Sequence, residues 1–240
     1  MENKSGFKTM EINRDTFLVE WNENPSKILL NKLLFLRKTL EKHPEILICT
    51  MGYKSLLIQL NKKIKNLEWW NQYLNKVLLK IEKHKNFEGK KWIIPVCYEN
   101  NFAPDIIKLS KALKLEVNEL IHLHSKNTYM VYFLGFMPGF PYLSGLNPRL
   151  HYQRKEKPKV NVPKGSVGIG GKQTGIYTTD SPGGWHIIGS TPINLFDSTT
   201  SPPCFIKPGD IISFKKIDSD TFRDIKVKVK LGEYKLTKND

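Results

Sequence analysis

Between Tyr129 and Phe196 the chain is dense in Gly, Pro and aromatic residues: YMVYFLGFMPGFPYLSGLNPRL, then VPKGSVGIGGKQTGIYTTDSPGGWHIIGSTPINLF. Gly and Pro set turns and bulges, and the aromatics supply large stacking surfaces. The runs between these turns are short and rich in β-branched and aromatic residues: TYMVYFLGF, SVGIGG, TGIYTT, WHIIGS and INLF, followed by DIISFKKI and DIKVKVKL. Many short strands with Gly/Pro turns predict a closed or sandwiched β architecture. A β-barrel is therefore expected over residues 98–240.

The preceding residues have a different rhythm. TFLVEW (16–21) reads as a strand, and Pro25 to about Lys42 as a helix with apolar positions Ile28, Leu29, Leu33, Leu36 and Leu40. EILICTMG and KSLLIQL are paired strands around Gly52, Leu67 to about Ile81 is a second helix, and KWIIPVCY (91–98) is a further strand. The order strand, helix, strand, strand, helix, strand is that of a ferredoxin-like βαββαβ domain, placed at residues 1–97. Trp69 and Trp70 are adjacent on the second helix, so they point about 100° apart, one to the core and one to the surface. Residues 104–124 read as two short helical pieces bridging into the second domain. The fold class is α+β.

Composition excludes several functions. The chain has 240 residues, 40% hydrophobic and 25% charged, and no apolar run approaches the roughly 18 residues of a membrane span. The start MENKSGFKTM has no apolar signal region, so a cytoplasmic protein without membrane attachment is expected. Cys49, Cys97 and Cys204 are scattered without metal-ligand spacing, and His122 and His124 diverge on a helix; buried thiols and no metal are expected. The net charge of +15 is spread over both halves, and residues 173–206 carry no Lys or Arg, the pattern of a lysine-rich solvated surface rather than a nucleic-acid interface.

No motif supplies a catalytic set. GSVGIGGKQTG matches neither the Walker A nor the dinucleotide spacing, so its glycines read as β-turn positions, with an anion-binding nest as the other reading. G-x-S-x-G is absent. GFMPGFPYL is stiff and either lines an aromatic pocket or is a structural loop. In SPGGWHII, strand alternation points one of Trp185 and His186 inward and the other outward, without saying which.

The phrases HSKNTYMVYFLGFMPGFPYLSGLNPRL, VPKGSVGIGGKQTGIY, SPGGWHIIGSTPINLFD and KPGDIISF resemble, in order and spacing, the family of the B subunit of bacterial 5-oxoprolinase, also called the KipI or allophanate hydrolase subunit 1 family. The chain departs from the family's common arginines at Lys159 and Ser190. The resemblance implies a ferredoxin-like domain followed by a cyclophilin-like β-barrel, and relatives that form the carboxyltransferase part of urea carboxylase. It implies the C and A subunits of 5-oxoprolinase as partners in ATP-dependent cleavage of 5-oxoproline to glutamate, with ATP used by the complex. An alternative role, also implied by the family, is inhibition of a sensor histidine kinase by protein binding.

The polar and aromatic members of the matched phrases are the site candidates. His124 reads either as a structural histidine at a helix end, interacting with the helix dipole, or, with its ordinary pKa, as a general acid or base. Lys164, Gln173, Tyr177, Ser181 and Trp185 are expected to bind substrate, with anion contacts from Lys164 and the backbone N–H groups of 165–171, and apolar walls from Tyr177 and Trp185.

Overall fold

In a computed structural model, which describes residues 6–81 and 88–236, the chain divides into two compact units, Met1–Glu88 and Gly89–Asp240. The first unit is built from β1 (Phe7–Asn13), β2 (Thr16–Trp21), α1 (Lys27–Leu40), β3 (Ile46–Met51), β4 (Ser55–Leu60) and α2 (Leu67–Leu78). Its antiparallel sheet has the order β1-β2-β4-β3. Alternation along the strands buries Phe17, Val19 and Trp21 of β2 and Leu56, Ile58 and Leu60 of β4 on one face. The leucine stripe of α1 (Leu29, Leu30, Leu33, Leu36, Leu40) is buried as well. Both helices start at side-chain caps: Leu29 N–H donates to Ser26 Oγ at 3.1 Å and Trp69 N–H to Asn66 Oδ1 at 3.0 Å. Trp70 is buried and Trp69 is exposed, as their helical offset requires.

Three sequence expectations are corrected here. DIKVKVKL, expected as a strand, lies in the helix Ser219–Lys230, which Asp218 caps by accepting from Thr221 N–H at 2.8 Å and which buries Phe222 and Ile225. The strand beside β2 is β1, which carries no strong periodic signal, and not Lys91–Cys97. Lys91–Cys97 forms β5 in the second unit, where it runs parallel to β13 (Ile211–Ile217), so the division falls before this strand rather than after residue 97. Ile94 through Tyr98 are all buried. A continuous buried run is the mark of a strand covered on both faces, and local pattern does not say which sheet it joins.

The second unit continues with α3 (Ile106–Leu113), α4 (Val117–Lys126), β6 (Thr128–Leu134), β7 (Pro141–Ser144), β8 (Lys159–Val162), β9 (Ser166–Gly170), β10 (Gln173–Ile176), β11 (Ser181–Gly183), β12 (His186–Ser190), β13 and α5 (Ser219–Lys230). Seven strands close a barrel in the order β10-β7-β6-β13-β5-β12-β9, and β8 and β11 form a separate two-stranded ribbon. Ile94, Val96, Tyr129, Val131, Leu143, Val167, Ile169, Ile176, Ile188, Ile212 and Phe214 belong to one buried core, together with Leu120 of α4 and Phe222 of α5. Gly189 lets β12 approach β5 closely, since a Cβ there would lie 2.7 Å from Val96 Cγ1 and 3.0 Å from Cys97 O.

Asp210, buried just ahead of β13, ties the barrel's parallel pair together. Its carboxylate accepts hydrogen bonds from Lys90 N–H (2.8 Å), Trp92 Nε1–H (2.9 Å) and Lys207 N–H (3.0 Å). Asp210→Ala removes the acceptor for all three donors, two of them at the start of β5. It is expected to destabilise the second unit by about 2–3 kcal/mol, measured as a lowered urea midpoint; an unchanged midpoint would refute the role.

Candidate functional site

The hairpin of β9 and β10 has two faces with different chemistry. Val167, Ile169, Thr174 and Ile176 are wholly buried, and three of them belong to the barrel core. The opposite face carries Gly168, Gly170 and Gly175, and aromatic side chains lie where their Cβ atoms would be. A Cβ on Gly170 would lie 2.7 Å from the Trp185 indole, and one on Gly175 would lie 2.8 Å from the Phe140 ring. Phe140, Val162, Tyr177, Trp185 and Ile187 form a second buried cluster on this outer face, with Met137 and Tyr142 packed against it. The rings meet edge to face, Phe140 with Tyr142 (4.9 Å), Tyr177 (5.3 Å) and Trp185 (5.4 Å).

The loop between β6 and β7 holds Phe140 in place. Met137 N–H donates to Gly135 O across Phe136, whose φ is 69°; an i to i+2 bond about a positive φ is a γ-turn, strained for any residue but glycine. The turn presents Phe136 to solvent at 63% exposure while its ring edge contacts Phe140 and Tyr177. Thr178 Oγ1–H donates to Pro138 O at 2.7 Å and fixes the far side of the loop.

Of the residues singled out in the sequence, Gln173, Tyr177 and Trp185 come together on this outer face. Gln173 is the cross-strand partner of Gly170, the residue that the Trp185 indole covers. The Gln173 Nε2 atom is buried without a hydrogen-bond acceptor. Tyr177 and Trp185 are 1% and 5% exposed, so they form a packed floor rather than the open walls expected. Burial raises the pKa of the Tyr177 phenol, opposed by the Trp185 backbone N–H and by the positive charge of Arg154.

Lys164 and Ser181 are not drawn into this cluster. Lys164 is exposed, its backbone N–H donates to Asp180 Oδ1 at 2.7 Å, and its charge acts on Asp197. Ser181 opens β11 opposite Val162, and its hydroxyl donates to Pro182 O. The anion-nest reading of 165–171 is also corrected. Gly165, Ser166 and Gly171 donate their N–H groups to the carbonyls of Tyr177, Pro163 and Tyr152, while residues 167–170 lie within β9 between β10 and β12.

His124 lies elsewhere, sealed beneath α4 with no exposed surface. Thr174 Oγ1–H donates to Gly168 O, so the Thr174 oxygen accepts from His124 Nε2–H at 2.9 Å. Nδ1 is then the acceptor for the Tyr98 hydroxyl at 2.8 Å. Tyr129 O–H donates to the His124 carbonyl, and Phe214 stacks on the ring at 4.7 Å. Burial pushes the His124 pKa down to about 3. A neutral imidazole with both nitrogens engaged has no proton to exchange with a ligand, so the general acid or base expected at His124 is replaced by a structural histidine.

Sequence reasoning missed a charged cluster at the edge of the floor. Asp105 Oδ2 accepts from Lys155 Nζ (2.6 Å) and from the Ile187 backbone N–H (2.8 Å), and Lys159 Nζ lies 3.2 Å from Oδ1. Burial raises the Asp105 pKa, but Lys155, the Ile187 N–H and Lys159 outweigh it and hold the carboxyl below its ordinary value. Beside this cluster the exposed Arg154 guanidinium lies over the Trp185 indole, 5.5 Å from its centroid. In sequence, QRKEKPK reads as a solvated basic run, and nothing local separates Arg154 from its lysine neighbours. Among the described residues no three His, Cys, Asp or Glu side chains gather as metal ligands.

The state of His124 has a measurable consequence. Unfolded, it takes up a proton near 6.5; folded, only near 3. Between these values unfolding absorbs a proton, so stability contributed at neutral pH is lost at about 1.4 kcal/mol per pH unit as pH falls. Urea midpoints across this range are expected to show that one-proton dependence in the parent chain and to lack it in His124→Gln. Equal slopes in both would refute the buried neutral state.

The sequence profile of the carboxyltransferase domain, subdomain C and D, matches residues 7–206. The chain is 44% identical over 133 residues to the B subunit of 5-oxoprolinase from Bacillus subtilis, a match covering 55% of each protein. The Escherichia coli O157:H7 protein of the same name is 46% identical over 121 residues, covering 50% of this chain and 56% of that one. The match thus spans about half the length of these curated relatives. Among solved structures, a conserved uncharacterised protein from Pyrococcus horikoshii is 36% identical with a TM-score of 0.54, covering 90% of this chain and all of that one. The Kluyveromyces lactis urea amidolyase aligns over 97% of this chain and 16% of its own with a TM-score of 0.81 at 20% identity, a likeness of fold alone. With most of its length matched by that profile, the chain belongs to the family of the carboxyltransferase domain, subdomains C and D.

Proposed function

We propose that this chain is the B subunit of a bacterial ATP-dependent 5-oxoprolinase, acting with the A and C subunits. The observation that carries the reading is the 43–46% identity to three curated relatives, each named as the B subunit of 5-oxoprolinase. Overall, the complex takes up two waters: one adds across the lactam C–N bond of 5-oxoproline, which breaks to give glutamate, and the other is consumed as ATP goes to ADP and phosphate. The kinase-inhibitor reading gains no observation of its own.

The chemistry of the described residues supports a shared site rather than a self-sufficient one. His124 is sealed, and burial raises the pKa of Cys97 and Cys204 and pushes Cys49 up to about 12, so none of these is a ready nucleophile or base. The glycine-rich segment uses its N–H groups in its own sheet and turns and does not fit a phosphate cradle, so no step through ATP is assigned to this chain. Its part is to present substrate: the Tyr177 and Trp185 floor with Gln173 at its edge, and Lys164 and Ser181 on the flank of the β8–β11 ribbon. No helix of the described residues is long and apolar enough to cross a membrane.

We read the first unit as ferredoxin-like with β1 in the place of the usual last strand, supported by the order β1-β2-β4-β3 and its two helices. The second we read as a cyclophilin-like barrel.

Reconstitution tests the assignment. Mixed with the A and C subunits, this chain is expected to restore ATP-dependent release of glutamate from 5-oxo-L-proline, and its omission to abolish it. Equal turnover with and without the chain would overturn the assignment.

A further inference from the structure

We propose that Arg154 and the side-chain amide of Gln173 are the substrate-recognising pair beside Trp185, Arg154 for a carboxylate and Gln173 for a carbonyl oxygen on a small ring. The inference rests on the site put forward above and names the contacts that select its substrate.

Three cations lie close together in this part of the chain, and they are not equivalent. Lys155 and Lys159 share the single carboxylate of Asp105. Arg154 has no ion-pair partner among the described residues, and its guanidinium instead rests over the Trp185 indole. A guanidinium held over a ring rather than by a carboxylate keeps N–H donors that can bind a carboxylate with two parallel hydrogen bonds. Its positive charge also acts on Tyr142 and Tyr177, which pack in the same floor. Asp105 is occupied by the two lysines and does not pair with Arg154.

Gln173 supplies the second half. Its Nε2 is buried without an acceptor, at a cost of about 1–3 kcal/mol. The side chain is half-buried, and its residue pairs with Gly170, the glycine that the Trp185 indole covers. Turned towards the rim, the amide finds its missing acceptor in a ligand carbonyl. Carboxylate donors over Trp185 and an amide N–H beside the glycine that Trp185 covers suit a ring acid that also carries a carbonyl, and a lactam acid has both. A neutral lactam satisfies Gln173 alone, and a ring amino acid without the lactam oxygen satisfies Arg154 alone.

The test follows the Trp185 indole N–H by NMR in the full chain, assigned with Trp185→Phe, during titration with 5-oxo-L-proline, 2-pyrrolidinone and L-proline. The parent chain is expected to bind 5-oxo-L-proline most tightly. Arg154→Gln is expected to weaken it at least tenfold and to remove the preference over 2-pyrrolidinone, with Arg154→Lys between the two. Gln173→Ala is expected to remove the preference over L-proline. In the assembled complex, Arg154→Gln raises KM for 5-oxo-L-proline at least tenfold while kcat changes less. Arg154 is exposed, so its replacement leaves the packing intact. An unchanged affinity and KM in Arg154→Gln, or no response of the indole to any of the three compounds together with an unchanged KM, overturns the proposal. Arg154-dependent binding of ring acids in a complex that does not hydrolyse 5-oxoproline overturns the assigned reaction and leaves the recognition pair standing.

Discussion

The buried relay from Tyr98 through His124 and Thr174 to Gly168 O is the interaction on which the second unit depends. It joins the residue that follows β5, helix α4 and the β9–β10 hairpin through three side chains at 2.8–2.9 Å. Each member has a defined donor or acceptor role, because Thr174 spends its one proton on Gly168 and so dictates the tautomer of His124. Inside a barrel, an unsatisfied polar atom is expensive and a satisfied network is rigid. The relay therefore sets the position of the hairpin whose other face carries the aromatic floor.

That outer face shows why the segment needs glycine in such density. Gly168, Gly170 and Gly175 leave the strand surface bare, and the space is filled by Trp185, Ile187 and Phe140 packed directly against the backbone. The floor is rigid because its rings interlock edge to face, and because the Phe136 γ-turn stores strain that the surrounding hydrogen bonds hold. A rigid apolar floor loses little entropy when a ligand arrives. Its members are aromatic and aliphatic side chains, so it offers shape and an apolar surface.

Much of this was legible in the sequence. The two-part organisation, both helices of the first unit, the split of residues 104–124 into two helices and the all-β character of the glycine-rich region follow from periodicity and turn chemistry. The matched phrases group six residues, of which the fold brings Gln173, Tyr177 and Trp185 to one face and leaves His124, Lys164 and Ser181 apart. The placement of Lys91–Cys97 was not legible, because a doubly buried strand carries no label for its partner. Nor does the sequence decide between a structural and a catalytic His124: the ordinary pKa belongs to an imidazole in water, and burial by residues distant in sequence lowers it to about 3.

By itself the sequence determined local geometry: where the backbone turns, where strands are short, which helix faces are apolar, and that the cysteines lack metal-ligand spacing. Only the tertiary structure decided which strands pair, that Trp185 and His124 lie on opposite sides of one barrel wall, and that Asp105 takes up Lys155 and Lys159 but not Arg154. Turns and periodicity depend on neighbouring residues, whereas burial, ion pairing and protonation depend on groups that meet only when the barrel closes.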